Sequence, residues 1–484
     1  MVNTKIRINT PQRLLRYSHI FVLTALSFSL SLVWGEPVPQ IDSPDTKNGT
    51  DGESIKEDLE IKTLEKEEPG TEIESKPTIL EKLTIDTKDS RLKLRIGGNL
   101  LLDGGGWDSN SDIQDFYGDE NWDTDVRKAL IEAKAQFNQY FNATLQLELD
   151  SGKLDWADVY VEREKIPYLG TLRIGNFVEP TSLERVTSLK YQTFMERSLA
   201  NALTPGRNLG GTFSDTHLDG RLQWAAGIFS PTDTIDSAAE VDGTGYVLRV
   251  TGLPIFKNKG AELLHVGLSY KHTDTDGSFS LRARPESYLA PRYLNTGSLE
   301  LDTTDTITME FAYVRGPWSF QSEYTFTYLD NVTVVEPPPM GNNPAGSTGN
   351  STVHGGYVQA SYFLTGEYRT YNIRKGAFGQ TNPEHPWTRN SDSSGKGAVE
   401  LAARLSRLDL NSDPIRGGVE KNATLGVNWY INKRVRFTVN YTYADIDTDA
   451  ASGHSHIFQT RIQFDFQGKE LGELKTFTPF GRKR

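Results

Sequence analysis

The stretch RKALIEAKAQF, residues Arg127 to Phe137, shows the pattern that decides the fold. Apolar side chains occupy alternate positions from Ala129 to Phe137, and charged or amide side chains occupy most of the positions between them. Successive side chains of a β-strand point to opposite faces, so the segment predicts a strand with one apolar and one polar face. The same alternation recurs in Ala143 to Asp150 and in Ala157 to Arg163.

Alternating segments continue, with interruptions, from Leu92 to Phe466 and predict about sixteen strands. An even number in this range is typical of bacterial outer-membrane barrels. The predicted strands are Leu92 to Leu102, Arg127 to Phe137, Ala143 to Asp150, Ala157 to Arg163, Gly170 to Asn176, Leu209 to Leu218, Arg221 to Phe229, Gly245 to Thr251, Glu262 to His272, Thr304 to Val314, Trp318 to Leu329, Gly356 to Leu364, Ala398 to Leu408, Thr424 to Tyr430, Arg434 to Tyr443 and Ile457 to Phe466.

The connections alternate between tight turns, such as Gln139 to Asn142 and Gly316 to Pro317, and long loops, such as Gly104 to Thr124 and Asn411 to Gly417. Outer-membrane barrels have short periplasmic turns and long outer loops, whereas a soluble β-sandwich would not alternate in this way. A soluble core would also leave lysine and glutamate faces on a large open sheet with exposed edges. We therefore predict an all-β fold, a transmembrane antiparallel β-barrel. One connection, Gly366 to Lys396, is long on the side where short turns are expected.

The stretch from Phe177 to Asn208 is too long for a hairpin loop. Connections of this length within a series of strands are uncommon and usually functional. We expect it to fold into the barrel as a constriction loop that narrows a pore. The alternative is a plain surface loop with a helical turn.

The two ends of the chain differ from the barrel in composition. Residues 1–35 combine four bases with the apolar run Ile20 to Trp34, which is short for a membrane span, and predict a signal peptide; a retained anchor is the alternative. Residues 36–90 carry 16 acids, 7 bases and no aromatic residue, and predict an acidic disordered periplasmic spacer. Residues 91–466 are the predicted porin domain, followed by a tail, 467–484.

Composition also limits the chemistry. The chain has no cysteine, which excludes disulfides and thiol catalysis, and its net charge is −12. Walker, GxSxG and HExxH motifs do not occur, and His454 and His456 form only a weak metal signal. We expect no enzyme activity, no catalytic residue, no metal or other cofactor, and no nucleic-acid partner.

Several segments resemble the phosphate-selective porin O and P family of outer-membrane barrels, from about Leu92 to Phe466. These segments are RIGNFVEPTSLERVTS (Arg173 to Ser188), ERS (Glu196 to Ser198), RARPES (Arg282 to Ser287), YVQASYFLTGEYRTY (Tyr357 to Tyr371), VELAARLSRLDL (Val399 to Leu410), LGVNWYIN (Leu425 to Asn432) and RIQFDF (Arg461 to Phe466).

The resemblance implies a sixteen-stranded barrel, usually a homotrimer, with the loop after strand five folded into a channel for anions such as phosphate or polyphosphate. It also implies outer-membrane lipid and the barrel assembly machinery as partners. Bases on the corresponding stretches would line the pore constriction. They are Arg185, Lys190, Arg197 and Arg207 in the constriction loop and Arg282, Arg284 and Arg292 in the following long loop.

Alternatives to an anion channel stay open at this point. Arg185 and Arg197 could pair with loop glutamates and only fix the shape of the loop. The barrel could be a non-selective general porin, because the chain as a whole is acidic. An outer-membrane enzyme, or a structural or adhesion barrel, is the remaining class.

Overall fold

The computed structural model describes residues 84–86, 92–118, 122–150, 153–230, 239–338, 345–387 and 395–468. The predicted signal peptide, nearly all of the predicted spacer and all but the first two residues of the predicted tail lie outside the described residues. Three spacer residues, Thr84–Asp86, form a short strand that pairs antiparallel with Lys93 to Arg95. The prediction of a disordered spacer up to residue 90 is therefore wrong for this piece, because its backbone groups bond to the first barrel strand.

Sixteen antiparallel strands form the barrel in the described part of the chain, and β1 pairs with β16 to close it. The strands are β1 Lys93–Ser109, β2 Asp123–Gln136, β3 Phe141–Asp150, β4 Lys153–Ile166, β5 Gly170–Val178, β6 Arg207–His217, β7 Leu222–Ser230, β8 Ala239–Lys257, β9 Glu262–Ala283, β10 Thr303–Arg315, β11 Trp318–Glu336, β12 Thr348–Phe363, β13 Ala398–Ser412, β14 Ile415–Asn432, β15 Val435–Asp447 and β16 Ser452–Gln467.

Each predicted strand is confirmed, but several strands extend further at their outer ends. β9 runs to Ala283 rather than to His272, because it stays paired with β8 up to Leu281. The predicted long loop from Asn411 to Gly417 is wrong. Asn411 pairs with Arg416, so a two-residue turn joins β13 to β14.

Shorter elements lie between the barrel strands. Helix α1, Ser111–Tyr117, follows β1, and the Tyr117 hydroxyl donates to the Tyr293 carbonyl oxygen at 2.8 Å. The remaining short elements outside the constriction loop are the 3₁₀ turn Asn258–Gly260 and the strands Leu294–Asn295, Ser298–Glu300, Tyr371–Asn372 and Ala377–Phe378. No helix in the described ranges is long and apolar enough to cross a membrane.

The barrel is apolar outside and polar inside. On β13 and β14, Leu405 and Leu425 point outward and are each 61% exposed, while their neighbours Arg404 and Thr424 are buried in the lumen. This is the arrangement that a lipid-facing wall around a polar interior requires. The alternation seen in the sequence thus sets which face of each strand meets lipid.

The lumen is filled on one side only. Inward polar side chains of β9–β16 are mostly buried, for example Gln321 at 2% exposure, and threonine hydroxyls of β10 and β11 pair across the strands, Thr306 with Thr327 at 3.1 Å. On the opposite wall, the lumen-facing side chains of Lys134 and Arg173 are 28% and 32% exposed. Open space therefore lies along the first eight strands.

Because Leu425 faces lipid, we expect a charged side chain at this position to lower the free energy of unfolding. Leu425→Lys places an ammonium group near the middle of the apolar band, and we expect a loss of roughly 2–4 kcal/mol in the free energy of unfolding from bilayers. The matched control is Val335→Lys, at the outer end of β11, where the expected loss is about 0–1 kcal/mol. Equal losses, measured by denaturant titration of vesicle-reconstituted protein, would contradict the assignment.

Candidate functional site: a basic channel beside the constriction loop

The constriction loop, residues 179–206, joins β5 to β6 and folds into the barrel, as predicted. It contains helix α2, Leu183–Val186, and two 3₁₀ turns, Leu189–Tyr191 and Leu199–Leu203. The Ser182 hydroxyl oxygen caps α2 by accepting from the backbone N–H of Arg185 at 2.9 Å. Leu183 and Leu199 are buried in apolar clusters with side chains of the barrel wall. Apolar residues thus seat the loop against the wall.

Three wall arginines, Arg404, Arg436 and Arg461, donate hydrogen bonds to main-chain carbonyl oxygens of loop residues 192–196. Arg436 reaches two of these oxygens at 2.7 and 2.8 Å, and Arg404 reaches one at 3.2 Å. Hydrogen bonds from a charged donor are stronger than neutral ones. The wall arginines therefore hold the main chain of the loop, and these contacts do not depend on the loop side chains.

The loop also lies close to the wall where the wall has glycine. A Cβ at Gly426 of β14 would lie 3.2 Å from the ring of Phe194, and a Cβ at Gly355 of β12 would lie 3.4 Å from the Cα of Ala200. Both distances fall at or near the limit of ordinary contact, so a larger residue at either position would push the loop away from the wall.

Loop glutamates pair with bases of the wall. Glu179 accepts from Lys271 at 2.9 Å, and Glu196 accepts from Arg127 at 2.9 Å and from Arg461 at 2.7 Å. Burial alone would raise the pKa of Glu196, but the two arginines outweigh it and lower this pKa to about 2. Glu196 is therefore ionised at any physiological pH, and its charge is compensated locally.

Arg185 and Arg197 bind other parts of the same loop. The Arg185 guanidinium donates to the Pro205 carbonyl oxygen at 2.7 Å, and that of Arg197 donates to the carbonyl oxygens of Glu184 and Thr187 at 3.4 Å each. Arg185 is fully buried. These contacts fix the shape of the loop through carbonyl oxygens, a variant of the shape-fixing role considered from the sequence.

A cavity of about 510 Å³ lies between the constriction loop and the walls formed by β1–β8. It extends from Arg127, near the outer end of β2, to Arg95, near the periplasmic end of β1. Among the described residues, twelve bases and three acids line it. The bases are Arg95, Arg127, Lys128, Lys134, Arg173, Arg185, Lys190, Arg197, Arg207, Arg249, Arg374 and Lys375, and the acids are Glu132, Glu148 and Asp158.

Ion pairs orient part of this lining. Arg207 of β6 donates to Asp158 of β4 at 2.7 Å, across the intervening strand β5, and Lys134 lies 2.7 Å from Glu132 on the same face of β2. Lys128 pairs with Glu148, and four further bases pair with acids outside the lining: Arg127 with Glu196, Arg173 with Glu162, Lys190 with Asp465 and Arg249 with Glu310. Among the described residues the twelve bases thus stand against seven paired acids, which leaves an excess of positive charge in the cavity. Walls of low dielectric strengthen the field of such an excess.

The connection between β12 and β13, long on the short-turn side, also enters the lumen. Its tip, residues 371–378, is a small hairpin whose Gly376 carbonyl oxygen accepts from Arg249 at 2.9 Å. A backbone N–H of the tip donates to the hydroxyl of Thr187 in the constriction loop at 3.2 Å. The tip thereby brings Lys375 into the cavity opposite β1–β6.

The surroundings of Lys375 and Lys190 shift the pKa values of these two side chains in opposite directions. Burial by the surrounding walls, together with repulsion from Lys134 and Arg173, lowers the pKa of Lys375 to about 8. Burial would also lower the pKa of Lys190, but Tyr191 and Asp465 outweigh it and raise this pKa. One base of the cavity therefore titrates near neutral pH, while the other stays charged.

The structure brings four of the seven predicted site residues to the cavity: Arg185, Lys190, Arg197 and Arg207. The other three, Arg282, Arg284 and Arg292, are not among the described residues that line it. They lie at the outer end of β9 and in the loop after it, where Arg284 lies over the Tyr288 ring at 5.5 Å and Arg292 is exposed.

Sequence reasoning missed most of the wall bases. Lys128 and Lys134 occupy polar positions in the alternating stretch Arg127 to Phe137, so the alternation could have predicted that both face the lumen. Arg374 and Lys375 had no such signal, because they lie in an irregular connection whose fold the sequence pattern does not specify.

A model of the family described as "Phosphate-selective porin O and P" matches residues 102–466 of this chain. The chain belongs to this family. It is accordingly an outer-membrane porin, and the relatives that carry the family's name are channels rather than enzymes.

The chain is 25% identical over 434 residues to Porin O of Pseudomonas aeruginosa, covering 79% of this chain and 91% of that porin. It is 26% identical over 336 residues to an uncharacterized protein of Caulobacter vibrioides, covering 66% of this chain and 62% of that protein. Among solved structures it is similar to the outer-membrane expressed OmpT of Vibrio cholerae, with a TM-score of 0.47 and 13% identity, covering 79% of this chain and 100% of that one.

The wall arginines give a prediction about the constriction loop. Arg436→Met removes charged hydrogen bonds to the loop backbone, each worth about 1.5–3 kcal/mol, while the strands stay paired. We expect a larger and noisier single-channel current from a loosened loop. Arg434→Met is the control, since Arg434 is exposed in the adjacent turn. Identical currents from the two variants would show that Arg436 does not hold the loop.

Lys375 gives a prediction about pH. A lysine is charged below its pKa, so the preference for anions should fall as the pH rises through about 8. Lys375→Met should remove that step. Lys190→Met, by contrast, should lower anion preference at every pH and leave the step in place, because the pKa of Lys190 is raised. A step that persists in Lys375→Met would assign the titration to another group.

Proposed function

We propose that this porin is a channel for passive diffusion of small anions, and that phosphate-like oxyanions are its preferred cargo. The observation that carries the proposal is the ratio of twelve bases to three acids among the described residues that line the cavity. The whole chain has a net charge of −12, so this ratio reflects local placement rather than bulk composition. A narrow cationic cavity concentrates anions and repels cations.

Guanidinium groups suit an oxyanion better than a halide. Arginine can bind phosphate through two parallel N–H donors, which gives geometric selectivity as well as charge attraction. The arginines of the cavity stand on several strands and on both inserted segments, for example Arg173 on β5, Arg207 on β6 and Arg374 on the tip. Successive weak sites of this kind let an anion enter and also leave.

The remaining features of the channel are part of the same proposal. Residues 1–35 act as a signal peptide, residues 36–90 as a periplasmic spacer and residues 467–484 as a tail. The porin assembles as a homotrimer in outer-membrane lipid with the help of the barrel assembly machinery.

The test is the reversal potential of single channels in a potassium chloride gradient. We expect chloride to be favoured over potassium, with saturable block of chloride current when inorganic phosphate is added. The double variant Lys134→Gln with Lys375→Gln should lower the preference for chloride. The matched control removes the same charge from outside the barrel, at Arg407 and Lys421, and should leave the reversal potential unchanged.

Two outcomes would contradict parts of the proposal. A preference for potassium would contradict anion transport and leave a cation-favouring porin. Chloride preference without phosphate block would retain an anion channel and remove the oxyanion preference.

A further inference from the structure

A row of charged side chains crosses four strands on the outside of the barrel. Arg407 of β13 lies directly opposite Lys421 of β14, Lys421 opposite Asp445 of β15, and Asp445 opposite His454 of β16. We call these four residues the outer row. Side chains one position away along each strand, such as Ser406, are buried in the lumen, so the outer row points away from it.

The outer row borders the apolar band. Next to it on the periplasmic side is a row that contains Leu405, Tyr443 and His456, and Leu425 follows at 61% exposure. In the other direction, β13 ends within a few residues, at Ser412. The outer row therefore lies where a lipid-facing wall passes from acyl chains to headgroups, on the side of the outer leaflet.

Two like charges lie side by side at one end of the outer row. Arg407 and Lys421 are directly opposite each other, an arrangement that destabilises a sheet. Their side chains are 53% and 57% exposed. Each contacts one carboxylate, Arg407 with Asp409 at 2.9 Å and Lys421 with Asp445 at 3.3 Å. Exposed pairs of this kind contribute little to stability, so an anion shared by both cations would relieve their repulsion.

Imidazole and phenol groups continue the same surface. The His456 ring lies 2.7 Å, through Nδ1, from the Tyr441 hydroxyl, and the His454 ring stacks on Tyr443 with centroids 5.8 Å apart. Tyrosines at this level are typical of interfacial girdles. Together with the two cations they offer hydrogen-bond donors for phosphate and sugar hydroxyls over three successive rows of the barrel wall.

We propose that the outer row binds the phosphate-bearing headgroup of a glycolipid of the outer leaflet. The row faces the bilayer and not the lumen, so its ligand is a lipid rather than a diffusing phosphate. The lipid's acyl chains lie along the apolar band around Leu405 and Leu425, and its phosphate lies between Arg407 and Lys421. Juxtamembrane bases attract anionic lipid in the same way.

The test uses bisphosphorylated lipid A in phosphatidylcholine nanodiscs, with lipid A bound to the full chain measured by native mass spectrometry. The variant Arg407→Gln with Lys421→Gln should bind lipid A roughly tenfold more weakly, since each base near a lipid surface adds to the attraction. The charge-retaining variant Arg407→Lys with Lys421→Arg should bind like the original chain.

The control removes two exposed bases from the periplasmic end, Lys257→Gln with Arg315→Gln, and should leave lipid A binding unchanged. Equal binding by all variants, or equal losses in the outer row and in the control, would overturn the proposal. Dissociation of an oligomer in the Arg407 and Lys421 variant would overturn it as well, since the row would then contact a second copy. Reversal potentials should not change in any of these variants, so this proposal and the proposed channel function can fail separately.

Discussion

Hydrogen bonds from wall arginines to the backbone of the constriction loop determine where this barrel is open. Arg404, Arg436 and Arg461 stand on β13, β15 and β16, and all three donate to loop residues 192–196. Because these strands lie on one side of the barrel, the loop is drawn to that side and fills it. The space that remains lies along β1–β8, and the lining of that space follows from the inward faces of those strands.

This arrangement separates two uses of charge. On the filled side, cations form ion pairs that stabilise the fold. Arg461, for example, donates to Asp103 at 2.6 Å and to Glu196 at 2.7 Å. Cations of the open side face the cavity, and among the described residues the twelve bases there outnumber the seven acids that pair with them. An acidic chain can thus enclose a basic channel, because its acids are placed in buried pairs, in the outer loops and in the segment before the barrel.

The sequence predicted the architecture well, because a lipid-facing barrel requires alternation in every strand, and that requirement is visible from Arg127 to Phe137 as from Ile457 to Phe466. It predicted the inserted loop from its length and from a family resemblance. It did not predict how firmly each loop base would be held. Arg185 and Arg197 look alike in sequence and both line the cavity, yet Arg185 is fully buried and donates to the Pro205 carbonyl oxygen at 2.7 Å, whereas Arg197 is partly exposed and its hydrogen bonds to Glu184 and Thr187 are 3.4 Å long. Nor could it place Lys375, whose position depends on contacts with Arg249 and Thr187 that are distant in the chain.

The absence of cysteine allows a direct measurement of which side of the barrel conducts. Ser214→Cys places a thiol in the lining along β6, and Ser319→Cys places one on the buried inner face of β11. The current would be recorded while a small, negatively charged thiosulfonate reagent is added to each variant. We expect Ser214→Cys to lose current on modification and Ser319→Cys to keep it. Loss of current in Ser319→Cys alone would show that ions pass along the side that the constriction loop is held against, and would contradict a channel along β1–β8.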